Sequence, residues 1–132
     1  MTTSITIKQL TPILIVDQIE PCLAFWVDRL GFAGTIEIPD EDGRLVFAAV
    51  QKDGIEIMYQ RRDNVLAEDP DAATELVGHS SVLYLTVENL DAIALAVAGA
   101  PLVKPRHKTF YGSMEIYVRE PGGNRVGFAQ PG

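Results

Sequence analysis

The spacing of apolar positions changes several times along the chain, and each change marks an element. Pro12-Ile13-Leu14-Ile15-Val16 is apolar without alternation, as in a strand covered on both faces. From Ile19 the period becomes helical: Ile19, Leu23, Trp26 and Leu30 recur on one face, Pro21 suits a first turn and Gly31 a C-terminal cap. Strands are then predicted over 32–39, 45–50 and 55–60, joined by Asp40-Glu41-Asp42-Gly43 and Lys52-Asp53-Gly54. Ahead of all these, Ile5-Thr6-Ile7-Lys8 alternates briefly, as an arm or edge strand does.

Residues 61–78 are polar, contain Asp69-Pro70-Asp71 and have little periodicity, so they read as a linker with a helical turn near 72–76. Beyond it the order begins again. Ser81 to Val87 reads as a strand, and Leu90, Ile93, Ala94 and Val97 form a helix face with Asn89 as N-cap and Gly99 as the stop. A weak, basic, proline-broken strand covers 103–109. A hairpin follows, its alternating arms flanking Glu120-Pro121-Gly122-Gly123-Asn124. The landmark pairs Val16 and Val87, Gly31 and Gly99, and Gly54 and Gly123 all recur at an offset of about 70 residues. The expected architecture is α+β: one domain of two βαβββ modules, residues 5–60 and 79–130, forming curved mixed sheets. Each module alone leaves one sheet face bare. Pairing them, within the chain or with a second chain, creates a cleft suited to a ligand.

Composition narrows the partners. At 132 residues and 47% hydrophobic, the chain has material for one core and not for two. A net charge of −7 repels nucleic-acid phosphates and anionic lipid, promotes solubility, and would favour a cationic ligand. The single cysteine, Cys22, excludes an internal disulfide and lies on the first predicted helix, where a buried inert thiol is expected. Met1-Thr2-Thr3-Ser4 lacks the charged and apolar regions of a secretory leader, and no apolar run approaches the roughly 18 residues that span a bilayer. A soluble cytoplasmic protein with neither nucleic-acid nor membrane partner is expected.

Two segments carry a family resemblance. Leu23-Ala24-Phe25-Trp26-Val27-Asp28-Arg29-Leu30-Gly31-Phe32 and the tail from Tyr111 to Gln130 resemble the vicinal oxygen chelate superfamily, which includes glyoxalase I, fosfomycin-resistance enzymes, extradiol dioxygenases and bleomycin-resistance proteins. The first run, and the tail pattern of Tyr111-Gly112, Glu115-Ile116, Val118-Arg119-Glu120-Pro121 and Gly123-Asn124, are most similar to the bleomycin-resistance branch. The resemblance implies the glyoxalase/bleomycin-resistance fold and supplies a chemical test. Metal-dependent members place a His or Gln five residues before the valine that ends each opening strand, and a Glu on each closing strand. Thr11, Glu56, Val82 and Gly127 occupy those places here, so only Glu56 is a ligand, and neither metal nor cofactor is expected. His79 falls on the opposite strand face from the ligand position, and His107 lies in the basic segment Lys104-Pro105-Arg106-His107-Lys108, where it reads as a solvated loop residue.

Strand alternation proposes the lining of the cleft. Ile13, Ile15, Glu56, Met58, Gln60, Val82, Tyr84, Thr86, Glu115, Tyr117, Gly127 and Ala129 share the inward parity, while the opposite parity, including Leu14, Val16, Ile57, Ile116, Val118, Val126 and Phe128, is uniformly apolar. The candidate ligand contacts are Ile15, Glu56, Met58, Tyr84, Phe110, Tyr111, Glu115, Tyr117 and Gly127. Tyr111 stands, by resemblance, where bleomycin-resistance proteins stack an aromatic residue on the drug. Tyr84 and Tyr117 would equally fill a sheet interior, and Glu115 would equally pair with Arg119 or Arg125. The leading expectation is a metal-free homodimeric protein, not an enzyme, that sequesters a small aromatic or cationic natural product. The alternatives are a metal-dependent lyase, isomerase or dioxygenase using Glu56 with His79 or His107, and a metal-free enzyme using Glu56 or Glu115 as base.

Overall fold

A computed structural model of the chain describes residues 4–74 and 81–132. Strand β1 (Ile13–Val16) leads into helix α1 (Glu20–Ala24), which continues as a π-helical turn over Phe25–Arg29, and β2 (Ala33–Pro39), β3 (Leu45–Lys52) and β4 (Ile55–Arg61) follow. Helix α2 (Arg62–Glu68) and a short 3-10 turn (Pro70–Thr74) precede β5 (Val82–Thr86), α3 (Leu90–Ala96), β6 (Leu102–Lys108), β7 (Met114–Arg119) and β8 (Arg125–Gln130). The strands form two four-stranded mixed sheets of the same design, ordered β1-β4-β3-β2 and β5-β8-β7-β6, in which the first strand pairs in parallel with the last. This is the expected α+β arrangement.

Local chemistry explains the boundaries. Pro21 sits in the first turn of α1, and Gly31 and Gly99 end the two helical segments at φ of 76° and 90°, where a side chain would be strained. Asn89 caps α3 by accepting a hydrogen bond from the Ala92 amide at 3.1 Å. The π-helical turn widens the helix, so that the adjacent residues Phe25 and Trp26 both reach the core. Leu23 and Leu30, expected on the buried face, pack at its margin instead, while Ile19 and Cys22 are fully buried.

Helices cover one face of each sheet. Leu14 and Val16 are buried beneath them, whereas Ile13 remains 49% exposed and Ile15 half-buried, so the apolar run of β1 is not covered on both sides. The same parity holds in the second sheet: Ile116, Val118, Val126 and Phe128 are buried, and Val82 and Tyr84 are open. One apolar cluster runs from Leu14 and Trp26 through Tyr59 to Val126 and Phe128, joining the two sheets through their covered faces.

A buried polar chain crosses this junction. Trp26 Nε1 donates to Tyr59 Oη at 2.8 Å, Tyr59 Oη donates to Glu120 Oε2 at 2.7 Å, and Glu120 Oε1 accepts from the Asn124 amide at 2.7 Å and from Asn124 Nδ2 at 3.1 Å. A buried carboxylate is tolerated because its oxygens are supplied with donors. The surrounding burial, and then the Glu120 charge, push the Tyr59 hydroxyl well above its ordinary range. Gly122, beside it, is required by space: a Cβ there would lie 2.5 Å from Val16 Cγ1 and 3.1 Å from Cys22 Sγ. The Glu-Pro-Gly-Gly-Asn turn is therefore part of the core as well as a reversal.

Two expectations need correction. Ile5-Thr6-Ile7-Lys8 forms no strand, and Ile5, Ile7 and Leu10 are exposed. The stretch read as a linker carries an unexpected helix over Arg62–Glu68, ahead of the turn expected near 72–76, whose described part falls within the 3-10 turn Pro70–Thr74. Its first turn is held by Arg61, a buried residue whose guanidinium meets Asp63 at 2.6 Å and Asp40 at 3.0 Å, a polar anchor that hydrophobic periodicity does not register. The part of that turn beyond Thr74, and His79, lie outside the described residues.

Candidate functional site

The open face of the second sheet gathers the tyrosines. In the ladder, Gly127 of β8 is flanked by Tyr84 of β5 on one side and Tyr117 of β7 on the other, so both rings stand beside a position with no side chain. A Cβ at Gly127 would lie 2.4 Å from Tyr117 Cε2 and below 3.0 Å from two further ring atoms. The Tyr117 ring thus occupies the space that the glycine leaves. Glu115 lies two residues earlier on β7 and projects from the same face.

A tight turn brings in the third tyrosine. Thr109 and Ser113 hold it closed, with Thr109 N donating to Ser113 O at 2.8 Å and Ser113 N to Thr109 Oγ1 at 3.0 Å, and Gly112 takes φ of 89°. Tyr111 folds back over the sheet, and its hydroxyl donates to Glu115 Oε2 at 2.7 Å. Tyr84 Oη donates to the same oxygen, and Tyr117 Oη donates to Oε1 at 3.2 Å. Glu115 is 1% exposed.

Burial alone would raise the Glu115 pKa, but the hydrogen bonds from Tyr84, Tyr111, Ser113 and Tyr117 outweigh it and hold the carboxyl below its ordinary range. The phenols move the other way. Tyr84 is raised by the bond it donates to Glu115 and by burial, and Tyr117 by burial and the Glu115 charge. An ionised carboxylate already engaged by three phenols and closed to solvent is a poor general base. Its physical effect is to fix three aromatic rings in position.

Around this cluster lies a hollow of about 470 Å³ lined by Val103, Lys104, His107, Lys108, Thr109, Phe110, Tyr111, Glu115, Tyr117 and Arg125. Phe110 is wholly exposed and packs edge-on against Tyr111 at 5.0 Å. The His107 and Tyr117 rings are stacked, 24° from parallel with centroids 6.5 Å apart.

Of the expected contacts, Tyr84, Tyr111, Glu115, Tyr117 and Gly127 come together, with Phe110 at the rim. Ile15, Glu56 and Met58 stand on the other sheet and do not line this hollow. Glu115 pairs with neither Arg119 nor Arg125: phenol donors replace the expected ion pair, and Arg119 Nη1 donates instead to the Gly123 carbonyl at 2.8 Å. His107 belongs to strand β6 and is half-buried beside Tyr117, not in a solvated loop. The alternation reading missed Lys104 and Lys108, because register shifts in the β6–β7 ladder interrupt the simple parity of β6, and it missed Arg125 although that residue opens β8 with the same parity as Gly127.

The metal positions can now be tested by geometry. Thr11 and Glu56 do meet, with Thr11 Oγ1 donating to Glu56 Oε1 at 3.3 Å, and Glu56 also accepts from Gln9 at 3.2 Å and Gln51 at 2.6 Å. Val82 and Gly127, the matching positions of the second sheet, offer no donor atom in their side chains. Among the described residues no three His, Cys, Asp or Glu side chains are placed to hold a metal ion. The donor set does not fit the metal centre that the family resemblance implies.

Solved structures with this fold include three informative neighbours. The lactoylglutathione lyase from Agrobacterium tumefaciens superposes with a TM-score of 0.73 at 16% identity, over 93% of this chain and 92% of that one. The antibiotic-binding protein TnmS3 from Streptomyces sp. CB03234 gives 0.71 at 20% identity, over 98% and 100%. The bleomycin-binding protein of bleomycin-producing Streptomyces verticillus, complexed with copper(II)-bleomycin, gives 0.64 at 22% identity, over 98% and 99%. No curated protein sequence matches the chain. At these identities the likeness speaks for the fold, and within it both an enzyme and antibiotic-binding proteins occur. The sequence pattern of the Glyoxalase/Bleomycin resistance protein/Dioxygenase superfamily matches residues 6–128, and the chain belongs to that superfamily.

Proposed function

We propose that this protein binds and sequesters a small planar aromatic natural product, on the pattern of the antibiotic-binding members of its superfamily. The observation that carries the reading is the hollow in which Tyr111 and Tyr117 are locked, together with the neighbouring Tyr84, by one buried carboxylate beside the exposed ring of Phe110. Rings held before the ligand arrives lose little entropy on binding, and their faces supply most of the contact energy. Of the two ligand types expected, the aromatic one has the better support, because Glu115 and Glu56 both have their carboxylates engaged by neighbouring donors. TnmS3 and the bleomycin-binding protein supply the analogy for sequestration.

The working unit is a two-fold homodimer acting in the cytoplasm. The two sheets of one chain join through their helix-covered faces, which leaves Ile13, Val82 and Tyr84 about half exposed, and the hollow receives no residue from the first sheet. A second copy that sets its first sheet against this second sheet would bring Ile15 and Met58 to the hollow and close it. Analytical ultracentrifugation at micromolar concentration should return twice the chain mass; a monomer would remove this part of the reading.

Isothermal titration and thermal shift against bleomycin-type, enediyne-type and mitomycin-type compounds test the function. Saturable binding that is weakened about tenfold or more in Tyr111→Ala supports it. An absence of heat and of thermal shift across the whole panel overturns it.

A further inference from the structure

The hollow is positively charged in a negatively charged chain. Lys104, Lys108 and Arg125 all line it, and among the described residues none of the three side chains makes a hydrogen bond or ion pair. Of the eight cations elsewhere on the chain, four meet carboxylates: Arg61 meets Asp40 and Asp63, Arg62 meets Asp17, Arg106 meets Asp91 and Lys52 meets Asp53, while Arg29 and Arg119 donate to backbone carbonyls and Lys8 and Arg44 make no ion pair among the described residues. A net charge of −7 supplies acidic groups in excess, and of the five cations that make no side-chain hydrogen bond or ion pair among the described residues, three line this one cavity. The sole acidic residue of the lining is Glu115, whose oxygens are covered by phenols and closed to solvent. The charge that the hollow presents to an incoming molecule is therefore ammonium and guanidinium, next to the rings of His107, Phe110 and Tyr117.

We infer that the hollow selects flat aromatic molecules bearing an acidic group, a carboxylate or an ionised phenol. The ring lies against Phe110, Tyr111 and Tyr117, and the acid meets Lys104, Lys108 and Arg125. This rests on the aromatic-binding reading above and adds a sign to it. Arginine offers a planar fork that matches a carboxylate, and the two lysines add point charges whose attraction falls with salt.

A matched set of probes separates the two levels. Anthraquinone carboxylate, its uncharged carboxamide and its cationic aminomethyl analogue are titrated at low salt into the wild type and into a Lys104→Gln/Lys108→Gln double variant. Both lysines are exposed, so the variant should keep the wild-type fold by circular dichroism. The expected result is a carboxylate Kd about tenfold below that of the carboxamide, with the aminomethyl analogue weakest. In the double variant the carboxylate advantage should drop to about twofold while the carboxamide Kd stays put, and raising salt in the wild type should act likewise. Equal binding of carboxylate and carboxamide, or tightest binding of the aminomethyl analogue, overturns the acid preference and leaves aromatic binding standing. If none of the three binds, the aromatic reading fails and the inference goes with it.

Discussion

Replacing Gly127 by alanine tests the heart of the site. The new Cβ would fall 2.4, 2.8 and 2.9 Å from three atoms of the Tyr117 ring, so the ring must retreat by about 1 Å to regain van der Waals contact. Forced repacking of this kind costs about 1–3 kcal/mol, and the gain of a strand residue over glycine returns about 0.5–1 kcal/mol. The net expectation is a destabilisation of about 1–2 kcal/mol, with weaker aromatic binding because Tyr117 loses its place and its bond to Glu115. With Tyr117→Ala already present the obstacle is gone, and Gly127→Ala should be neutral or stabilising by up to about 1 kcal/mol. Urea unfolding of the four proteins, read at equal m-values, should give a coupling of about 1–3 kcal/mol between the two positions. Additivity within about 0.5 kcal/mol would refute the claim that glycine is there to seat the ring.

Tyr59→Phe keeps the ring volume but removes the hydroxyl between Trp26 and Glu120, leaving a buried indole N–H unpaired and a buried carboxylate short of one donor; a loss of about 2–4 kcal/mol in urea unfolding is expected, and a loss under about 1 kcal/mol would contradict the assigned chain. Because the folded Glu115 carboxyl lies below its ordinary value of 4.5, its stabilisation is present above that pH and disappears as pH falls through the lower folded value. The stability gap between wild type and Glu115→Gln should therefore narrow on acidification below about 4.5, and a gap that widens would reverse the sign of this argument. Burial and the neighbouring Glu120 charge push the Cys22 thiol far above its ordinary range, so a colourimetric disulfide reagent at mildly alkaline pH should titrate it only on unfolding.

Most of the fold was legible because its signals are local and repeated. The helical spacing from Ile19, the Asn89 cap, the glycine stops and the Pro-Gly-Gly-Asn reversal each depend on a few neighbouring residues, and they recur in both halves. Parity along β1, β5, β7 and β8 also held, which is why Tyr84, Glu115, Tyr117 and Gly127 could be placed on one face from sequence. What escaped depends on distant partners. Glu120 reads as a turn residue until Tyr59 and Trp26 arrive from the other half of the chain, and Arg61 reads as surface until Asp40 and Asp63 enclose it. Likewise Glu115 has arginines near it in sequence, but the register of β5 and the turn at Gly112 bring phenols to it first. Along β6 the bulged ladder breaks the period of two, so Lys104 and Lys108 could not be counted from spacing, whereas Arg125 keeps the regular parity of β8.

The most direct measurement uses the tyrosines themselves. The chain has four, of which Tyr111 and Tyr117 line the hollow, Tyr84 shares their carboxylate and Tyr59 is sealed in the core. With fluorotyrosine incorporated throughout and each resonance assigned by single Tyr→Phe replacement, titration with anthraquinone carboxylate should move the three site signals together along one saturable curve and leave the Tyr59 signal in place. Binding that leaves those three signals unmoved, or that shifts Tyr59 as strongly as the others, would contradict the account.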